Sequence, residues 1–236
     1  MSNMKGTGLS GFIGSHLAYK LDIVPIPHKE IDSIELKPYN MFFFMSSYGN
    51  LASQKNEDMI FKANIEDLLT IMRKSKGISA KSFVFISSSS VLLPTQTTYS
   101  RCKKIAEKIL LDSDLPALII RPFTVCGLGD SSEHLIPTLL EVALSGTTID
   151  FVSNATHDYI DVDDLTDGII ALSEGGARGI FELGTGHLTS NKEVLELVEK
   201  VTGKKVNVNI VDSLRPYDTK DWVSTDFKAR EYGWMP

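Results

Sequence analysis

Short apolar segments alternate with amphipathic segments along this 236-residue chain, and that alternation constrains the fold more than any other feature. Segments rich in Ile, Val and Phe are predicted to be strands at 22–26, 41–45, 83–87, 117–121 and 180–183. Apolar residues recur with helical spacing at 14–21, 58–74, 98–112, 135–145, 162–173 and 191–202. Because helices commonly connect parallel strands, this order predicts an α/β fold, a Rossmann-like doubly wound parallel sheet.

The chain is long enough for one large core and a smaller lobe. We predict a dinucleotide-binding core over 1–125. A small C-terminal substrate lobe is predicted over 126–236, with some of its strands and helices returning to the core. The boundary is gradual.

Composition and charge limit the partners. The net charge is −6 without a dense run of Lys or Arg, which predicts that nucleic acid is not a partner. The longest strongly apolar run, 41–45, is too short to cross a bilayer, so no membrane association is predicted. Cys102 and Cys126 are the only cysteines, which fits a reduced, cytoplasmic chain. The five histidines are scattered without ligand spacing, and no metal site is predicted.

A glycine-rich loop, Thr7-Gly8-Leu9-Ser10-Gly11-Phe12-Ile13-Gly14, leads directly into a predicted helix. Glycine lets the backbone approach a pyrophosphate, and a helix N-terminus offers NH groups and a positive dipole end. The loop predicts a dinucleotide site, although a tight turn without ligand stays open from the loop alone. A central, apolar strand should precede the loop, but the segment there, residues 1–6, is short and polar.

Tyr99 and Lys103 lie four residues apart in a predicted helix, so their side chains project from one face. The free phenol has a pKa of about 10, and a nearby cation favours the phenolate. A hydroxyl from the serine run at 87–90 could bind the same substrate oxygen. Such a group suits proton transfer to or from an oxygen while a hydride moves on carbon. Together with the glycine loop, it predicts a dinucleotide-dependent oxidoreductase.

Motifs along almost the whole chain resemble the extended short-chain dehydrogenase/reductases, specifically the NAD-dependent epimerase/dehydratase family that acts on nucleotide sugars. The glycine loop resembles TGxxGxxG, and Tyr99 with Lys103 resembles YxxxK. Further segments resemble family motifs at 44–47, 83–91, 121–127, 157–165, 181–186, 215–218 and 233–236. The missing acidic, proline-containing insertion before Tyr99 is one departure from the family pattern.

The resemblance implies roles for individual residues. It selects Ser88, Tyr99 and Lys103 as catalytic, with Ser89 as the alternative serine. It implies cofactor contacts at Gly8, Gly11, Phe12, Ile13, Gly14, Met45, Ser46, Ser47, Asn64, Ile86, Tyr99, Lys103 and Pro122. It implies substrate contacts at Ser89, Thr124, His157, Arg215 and Asp218.

The predicted strand at 22–26 is followed by His28 and Lys29, where NAD-preferring relatives usually carry an acidic residue. A lysine or histidine there would attract a 2′-phosphate. The segment around Asp32 resembles the cofactor loop of dTDP-4-dehydrorhamnose reductase and GDP-fucose synthase, which prefer or accept NADPH. In that alignment His28 and Lys29 would bind the phosphate, and Asp32 would lie near the adenine. A solvated charged loop is the alternative.

The resulting hypothesis is an NADPH-dependent reductase of a nucleotide-linked 4-keto sugar, with NADP preferred over NAD. Tyr99 would donate the proton, Ser88 would orient the substrate oxygen and Lys103 would lower the pKa of Tyr99. The alternative is an NAD-dependent nucleotide-sugar 4-epimerase, and a non-catalytic cofactor-binding protein of the same fold is a third reading. The resemblance also implies a possible homodimer through the helices containing Asn64 and Tyr99.

Overall fold

The computed structural model describes residues 3–213 and 222–236. Its strands are β1 (Met4–Thr7), β2 (Ile23–Ile26), β3 (Met41–Phe44), β4 (Ser82–Ile86), β5 (Ala117–Pro122), β6 (Thr124–Cys126), β7 (Thr148–Phe151), β8 (Thr156–His157), β9 (Tyr159–Asp161), β10 (Gly179–Leu183), β11 (Thr189–Ser190) and β12 (Asn207–Ile210). Six of them form a central sheet in the order β2-β1-β3-β4-β5-β10. Every neighbouring pair in this sheet is parallel, which confirms the predicted α/β fold class.

The helices follow the predicted segments closely. They are α1 (Phe12–Lys20), α2 (Glu57–Phe61), α3 (Asp67–Lys74), α4 (Thr98–Leu111), α5 (Leu135–Ser145), α6 (Val162–Glu174) and α7 (Asn191–Thr202). The predicted helix at 58–74 is interrupted by a π-helical turn, Lys62–Glu66, which joins α2 to α3. Within the described residues, no helix combines the length and apolar character needed to cross a bilayer.

β1 lies inside the sheet, one strand from its edge, although it is only four residues long and largely polar. It pairs in register with β2 on one side and β3 on the other. Gly6 and Thr7 are buried, and a Cβ on Gly6 would lie 3.0 Å from the carbonyl oxygen of Phe43. The strand is therefore formed by close packing between its neighbours, which a reading of hydrophobicity along the chain does not detect.

β2 is the edge strand of the described sheet. The common dinucleotide-binding order continues beyond this position with one more strand. Here the chain instead turns through a short 3-10 helix, His28–Glu30, and passes directly to β3 on the other side of β1. Pro25 in β2 suits an edge, because proline cannot donate a hydrogen bond to a further strand. No further strand of the described sheet therefore covers the end of β2 beside the glycine loop.

Two hydrophobic clusters cover the two faces of the sheet. Phe43 and Val84 belong to one cluster, whereas Phe42, Phe44 and Phe83 belong to the other. Burial on both faces explains why β3 is apolar throughout and β4 is apolar from Phe83 to Ile86. These strands form the rigid base of the site.

A third cluster joins α5, β7, α7 and β12 in a smaller lobe. α6 and β10 pack instead with the first cluster of the central sheet. The second half of the chain therefore contributes to both regions. The division near residue 125 stays a prediction.

Candidate active site

A cavity of about 1020 Å³ lies beyond the carboxyl ends of the central strands. The glycine loop follows β1, the segment 45–49 follows β3, and Ser87 and Ser88 follow β4. Because carboxyl ends of parallel strands meet at one edge, these three segments line a single cavity. Its volume is at the upper limit for one drug-sized ligand, so it could hold more than a single small molecule.

The glycine loop leaves no space for side chains between β1 and α1. Gly8 has φ +69°, and a Cβ there would lie 2.5 Å from the carbonyl carbon of Met45. A Cβ on Gly14 would collide with the carbonyl oxygen of Gly8. Gly11 is the N-cap residue of α1 and makes no side-chain hydrogen bond. No capping side chain therefore covers the NH groups of the first turn. The closely packed loop backbone and the exposed NH groups at the N-terminus of α1 fit the pyrophosphate of a dinucleotide.

Tyr99 stands in the first turn of α4, facing the cavity. Burial raises the pKa of Tyr99 above its usual value, and hydrogen bonds with the Ser47 and Ser88 side chains act in the opposite direction. Thr97 caps this helix by accepting a hydrogen bond from the backbone NH of Ser100 at 3.2 Å, which fixes the turn that carries the phenol. Tyr99 and Ser88 therefore come together as the resemblance implied.

Lys103 follows one turn later and is 1% exposed. Its Nζ donates a hydrogen bond to the carbonyl oxygen of Ile86 at 2.8 Å and lies 5.7 Å from the centre of the Tyr99 ring. Burial lowers the pKa of Lys103 to about 7. The ammonium therefore binds the backbone of β4, and the expected lowering of the Tyr99 pKa is not found in this structure. The reason is that burial of the phenol outweighs its hydrogen bonds.

Most residues that the sequence suggested for the site line this cavity. They are Gly8, Gly11, Phe12, Ile13, Gly14, His28, Met45, Ser46, Ser47, Ile86, Ser88, Ser89, Tyr99, Lys103, Pro122, Thr124 and His157. Lys29, Asp32 and Asn64 are not among the lining residues. Arg215 and Asp218 lie outside the described residues.

Asn64 supports the cavity from behind. It is fully buried in the π-helical turn, and its Nδ2 donates hydrogen bonds to the carbonyl oxygens of Tyr48 and Ile60, each at 2.8 Å. Its Oδ1 accepts a hydrogen bond from Ser47 Oγ at 3.4 Å. Asn64 therefore holds the segment that follows β3, and Ser47 on this segment is one of the side chains that oppose the raised pKa of Tyr99.

The edge of the cavity beside β2 carries a cluster that the sequence did not reveal. His28 Nε2 lies 2.7 Å from Asp67 Oδ2, and Lys62 Nζ lies 3.1 Å from Asp67 Oδ1. The Asp67 side chain is only 1% exposed, whereas His28 and Lys62 line the cavity. Asp32 lies behind Lys62, with Oδ2 3.6 Å from Nζ. Lys62 is thus the second basic residue here in place of the predicted Lys29.

The acidic run at 158–164 stabilises backbone turns. Asp158 is buried and accepts hydrogen bonds from the backbone NH groups of Thr185, Gly186 and Ser224. Asp161 caps α6 by accepting one from the backbone NH of Asp163 at 2.7 Å. Within the part of the chain that the structure describes, no three His, Cys, Asp or Glu side chains are grouped as metal ligands.

The two cysteines are poor nucleophiles in this structure. Cys102 is buried on α4, and burial raises its pKa. Burial also raises the pKa of Cys126, on β6, to about 11. Both thiols therefore stay protonated at neutral pH, and Cys102 packs in the second hydrophobic cluster of the sheet.

Fold and site together define a dinucleotide-binding α/β protein with a tyrosine–lysine pair. The chain belongs to the NAD dependent epimerase/dehydratase family, whose profile matches residues 45–184, more than half of its length. This confirms the family resemblance drawn from the motifs.

Two sequence relatives of this chain are UDP-glucose 4-epimerases. UDP-glucose 4-epimerase of Rhizobium meliloti (strain 1021) is 28% identical over 240 residues, covering 85% of this chain and 73% of that protein. UDP-glucose 4-epimerase of Lactobacillus helveticus is 30% identical over 213 residues, covering 73% of this chain and 64% of that protein. The chain thus spans between about two-thirds and three-quarters of these two proteins.

A solved structure shares the fold over nearly the whole chain. The structure of MoeE5 in complex with UDP-glucose and NAD superposes with a TM-score of 0.86. It is 22% identical, and the match covers 98% of this chain and 92% of that one. At this identity the likeness shows the fold.

Proposed function

We propose that this protein binds NAD and catalyses the 4-epimerisation of a nucleotide sugar, with UDP-sugars as the substrate class. The observation that carries the proposal is the meeting of Ser88, Tyr99 and Lys103 in one cavity beside the glycine loop. The names of the sequence relatives favour this reading over the reductase that the cofactor loop suggested. NAD in the MoeE5 complex supports the choice of cofactor.

The chain's own residues supply binding and proton transfer. The glycine loop would hold the pyrophosphate through backbone NH groups at the start of α1. When bound, NAD would supply reversible hydride transfer at sugar carbon 4. Tyr99 would accept the proton of the 4-hydroxyl and later return one, while Ser88 holds that oxygen. Lys103, protonated for part of the time near pH 7, would favour the Tyr99 phenolate when charged.

The nucleotide that accompanies the purified protein tests the cofactor choice. An epimerase regenerates its cofactor in every cycle, so we expect NAD to be released when the protein is denatured. Chromatography and mass spectrometry of the released nucleotides would identify it. Release of NADP instead, or a clear calorimetric preference for NADPH over NADH in cofactor-free protein, would contradict the NAD assignment and favour the reductase.

The reductase remains the second candidate because of His28 and Lys62. Both side chains line the cavity beside the end of β2, where a dinucleotide bound on the glycine loop would place its adenosine ribose. The carboxylate between them, on Asp67, is buried and already faces both of these basic side chains. Two basic side chains at this edge would favour a ribose 2′-phosphate.

Replacing Lys62 by Met tests that second candidate. If the cavity prefers NADPH, Lys62→Met should weaken NADPH binding about tenfold, the loss of one charge-assisted contact, and leave NADH binding unchanged. Lys29→Met is the matched control, because Lys29 does not line the cavity. Calorimetric titration with both cofactors gives the comparison. Equal effects on NADPH and NADH would remove the structural support for the reductase.

A further inference from the structure

Two residues on one face of α4 hold successive residues at the end of β4. Lys103 Nζ donates a hydrogen bond to the carbonyl oxygen of Ile86 at 2.8 Å. One turn later, Glu107 Oε1 accepts a hydrogen bond from Ser87 Oγ at 2.6 Å. Both bonds are buried, so water does not compete for them.

Tyr99 lies on the same face of α4, one turn before Lys103. Its phenol faces Ser88, the next residue after Ser87, and that side chain opposes the raised pKa of Tyr99. Tyr99, Lys103 and Glu107 are spaced by four residues, and the residues that they face are consecutive in the chain. Two buried hydrogen bonds, from Lys103 and Glu107, thus fix the position of α4 along the end of β4, one turn away from the residue assigned to proton transfer.

Glu107 also connects this pair of elements to the next strand. Arg121, on β5, donates hydrogen bonds from Nε to Glu107 Oε1 at 2.9 Å and from Nη2 to Oε2 at 2.6 Å. Arg121 Nη1 lies 3.7 Å from Glu182 on β10. The next residue after Arg121, Pro122, lines the cavity. One carboxylate, with its side chain only 4% exposed, therefore joins α4, β4 and β5 directly beneath the site.

A buried ion pair is a costly way to hold three elements together. Taking both charges out of water often cancels their attraction, and apolar residues of similar volume can be equally stable. A bidentate pair with an additional hydroxyl bond, however, fixes distance and angle more tightly than apolar packing does. Its location under the site suits control of geometry rather than stability.

We propose that Glu107 is a positioning residue: by holding Ser87 and Arg121 it fixes the end of β4 against α4, and so sets where Ser88 and Lys103 stand relative to Tyr99. The consequence for turnover rests on the proposed function. The consequence for the titration of Lys103 does not, because it concerns the protein without substrate.

Ser87→Ala and Glu107→Gln test the proposal. Misplacement of reacting groups by a fraction of an ångström can cost up to about 100-fold in rate. We expect kcat to fall about tenfold for Ser87→Ala and more for Glu107→Gln, with KM little changed. Asp112→Asn is the matched control, because it removes an exposed ion pair with Lys108 on the same helix and should leave kcat unchanged.

The titration of Lys103 gives a readout that does not depend on catalysis. Glu107 is the charged group that opposes the lowered pKa of Lys103, and Cys102 and Tyr99 are the other titratable neighbours of Lys103. Loss of the Glu107 charge should therefore move the Lys103 titration below about 7. Isotope-labelled lysine followed by NMR as a function of pH measures this in cofactor-free protein. The control Asp112→Asn should leave the titration in place.

The double variant Glu107→Gln/Arg121→Gln separates positioning from folding, because it removes both charges of the Glu107–Arg121 pair together and leaves Lys228 as the cationic neighbour of Glu182. Low kcat and a shifted pH profile in a double variant with normal thermal stability would support the proposal. Full kcat and an unchanged pH profile in both the double variant and Ser87→Ala would overturn it. If the wild type converts no UDP-sugar, the proposed function fails, while the Lys103 titration still decides whether Glu107 acts on the site.

Discussion

Tyr99→Phe is expected to lower turnover by about 10²–10⁴-fold while cofactor affinity is retained. The change removes only the phenolic oxygen, the group that would exchange a proton with the sugar hydroxyl. The ring would keep its place, since α4 is capped by Thr97 and held by Lys103 at the carbonyl of Ile86. Steady-state rates with a UDP-sugar, together with calorimetric NAD binding, measure the two quantities separately.

Tyr19→Phe provides the control for this experiment. Tyr19 lies on α1, is 94% exposed and is expected to give wild-type rates. Unchanged turnover in Tyr99→Phe would remove Tyr99 from the reaction. Loss of NAD binding in that variant would instead show that the phenol is needed to form the cavity.

Gly8→Ala is expected to abolish tight dinucleotide binding and to destabilise the protein. Alanine at this position would have to adopt the left-handed conformation at φ +69°, which costs about 1–2 kcal/mol for a residue other than glycine. Its Cβ would also lie 2.5 Å from the backbone of Met45 and Ser46, so the loop after β3 would have to move. We expect dinucleotide affinity to fall by more than about tenfold, or 1.4 kcal/mol, because this loop lines the same cavity.

Gly77→Ala isolates the steric part of that effect. Gly77 has a similar φ of +83°, but nothing lies within 4 Å of its added Cβ. Thermal denaturation of both variants should show the αL cost alone in Gly77→Ala and a larger loss in Gly8→Ala. Equal losses of stability, with NAD binding intact in Gly8→Ala, would mean that the close approach of the loop to Met45 is unimportant.

The sequence predicted best those elements whose signals are local. α5 and α7 have the predicted bounds, since Gly146 ends α5 in the left-handed conformation and Ser190 with Glu193 forms a capping box at the start of α7. The strand β1 was difficult to predict because its polar residues form an interior strand only through pairing with neighbours on both sides. Propensity read along the chain does not contain that information.

In the candidate site, too, features within one helix could be predicted from the sequence, whereas contacts between separate segments could not. The spacing of Tyr99 and Lys103 is a property of one helix, and the structure brings both side chains to the cavity. The basic pair of His28 and Lys62 depends on the distance between two separate segments of the chain. The hydrogen bonds of Glu107 to Ser87 and Arg121 depend on the packing of α4 against the sheet. Relationships of this kind become visible only when the elements have been placed in space.

Conversion of a UDP-sugar labelled with deuterium at carbon 4 distinguishes an epimerase from a reductase. The protein, saturated with NAD, would be incubated in ordinary water with labelled UDP-glucose and, separately, with a labelled UDP-pentose, and the products followed by NMR. We expect inversion at carbon 4 with the deuterium retained, no net change in NADH absorbance, and loss of this activity in Tyr99→Phe. Stoichiometric consumption of NADPH with a 4-keto sugar, without interconversion of any 4-epimers, would contradict the epimerase assignment.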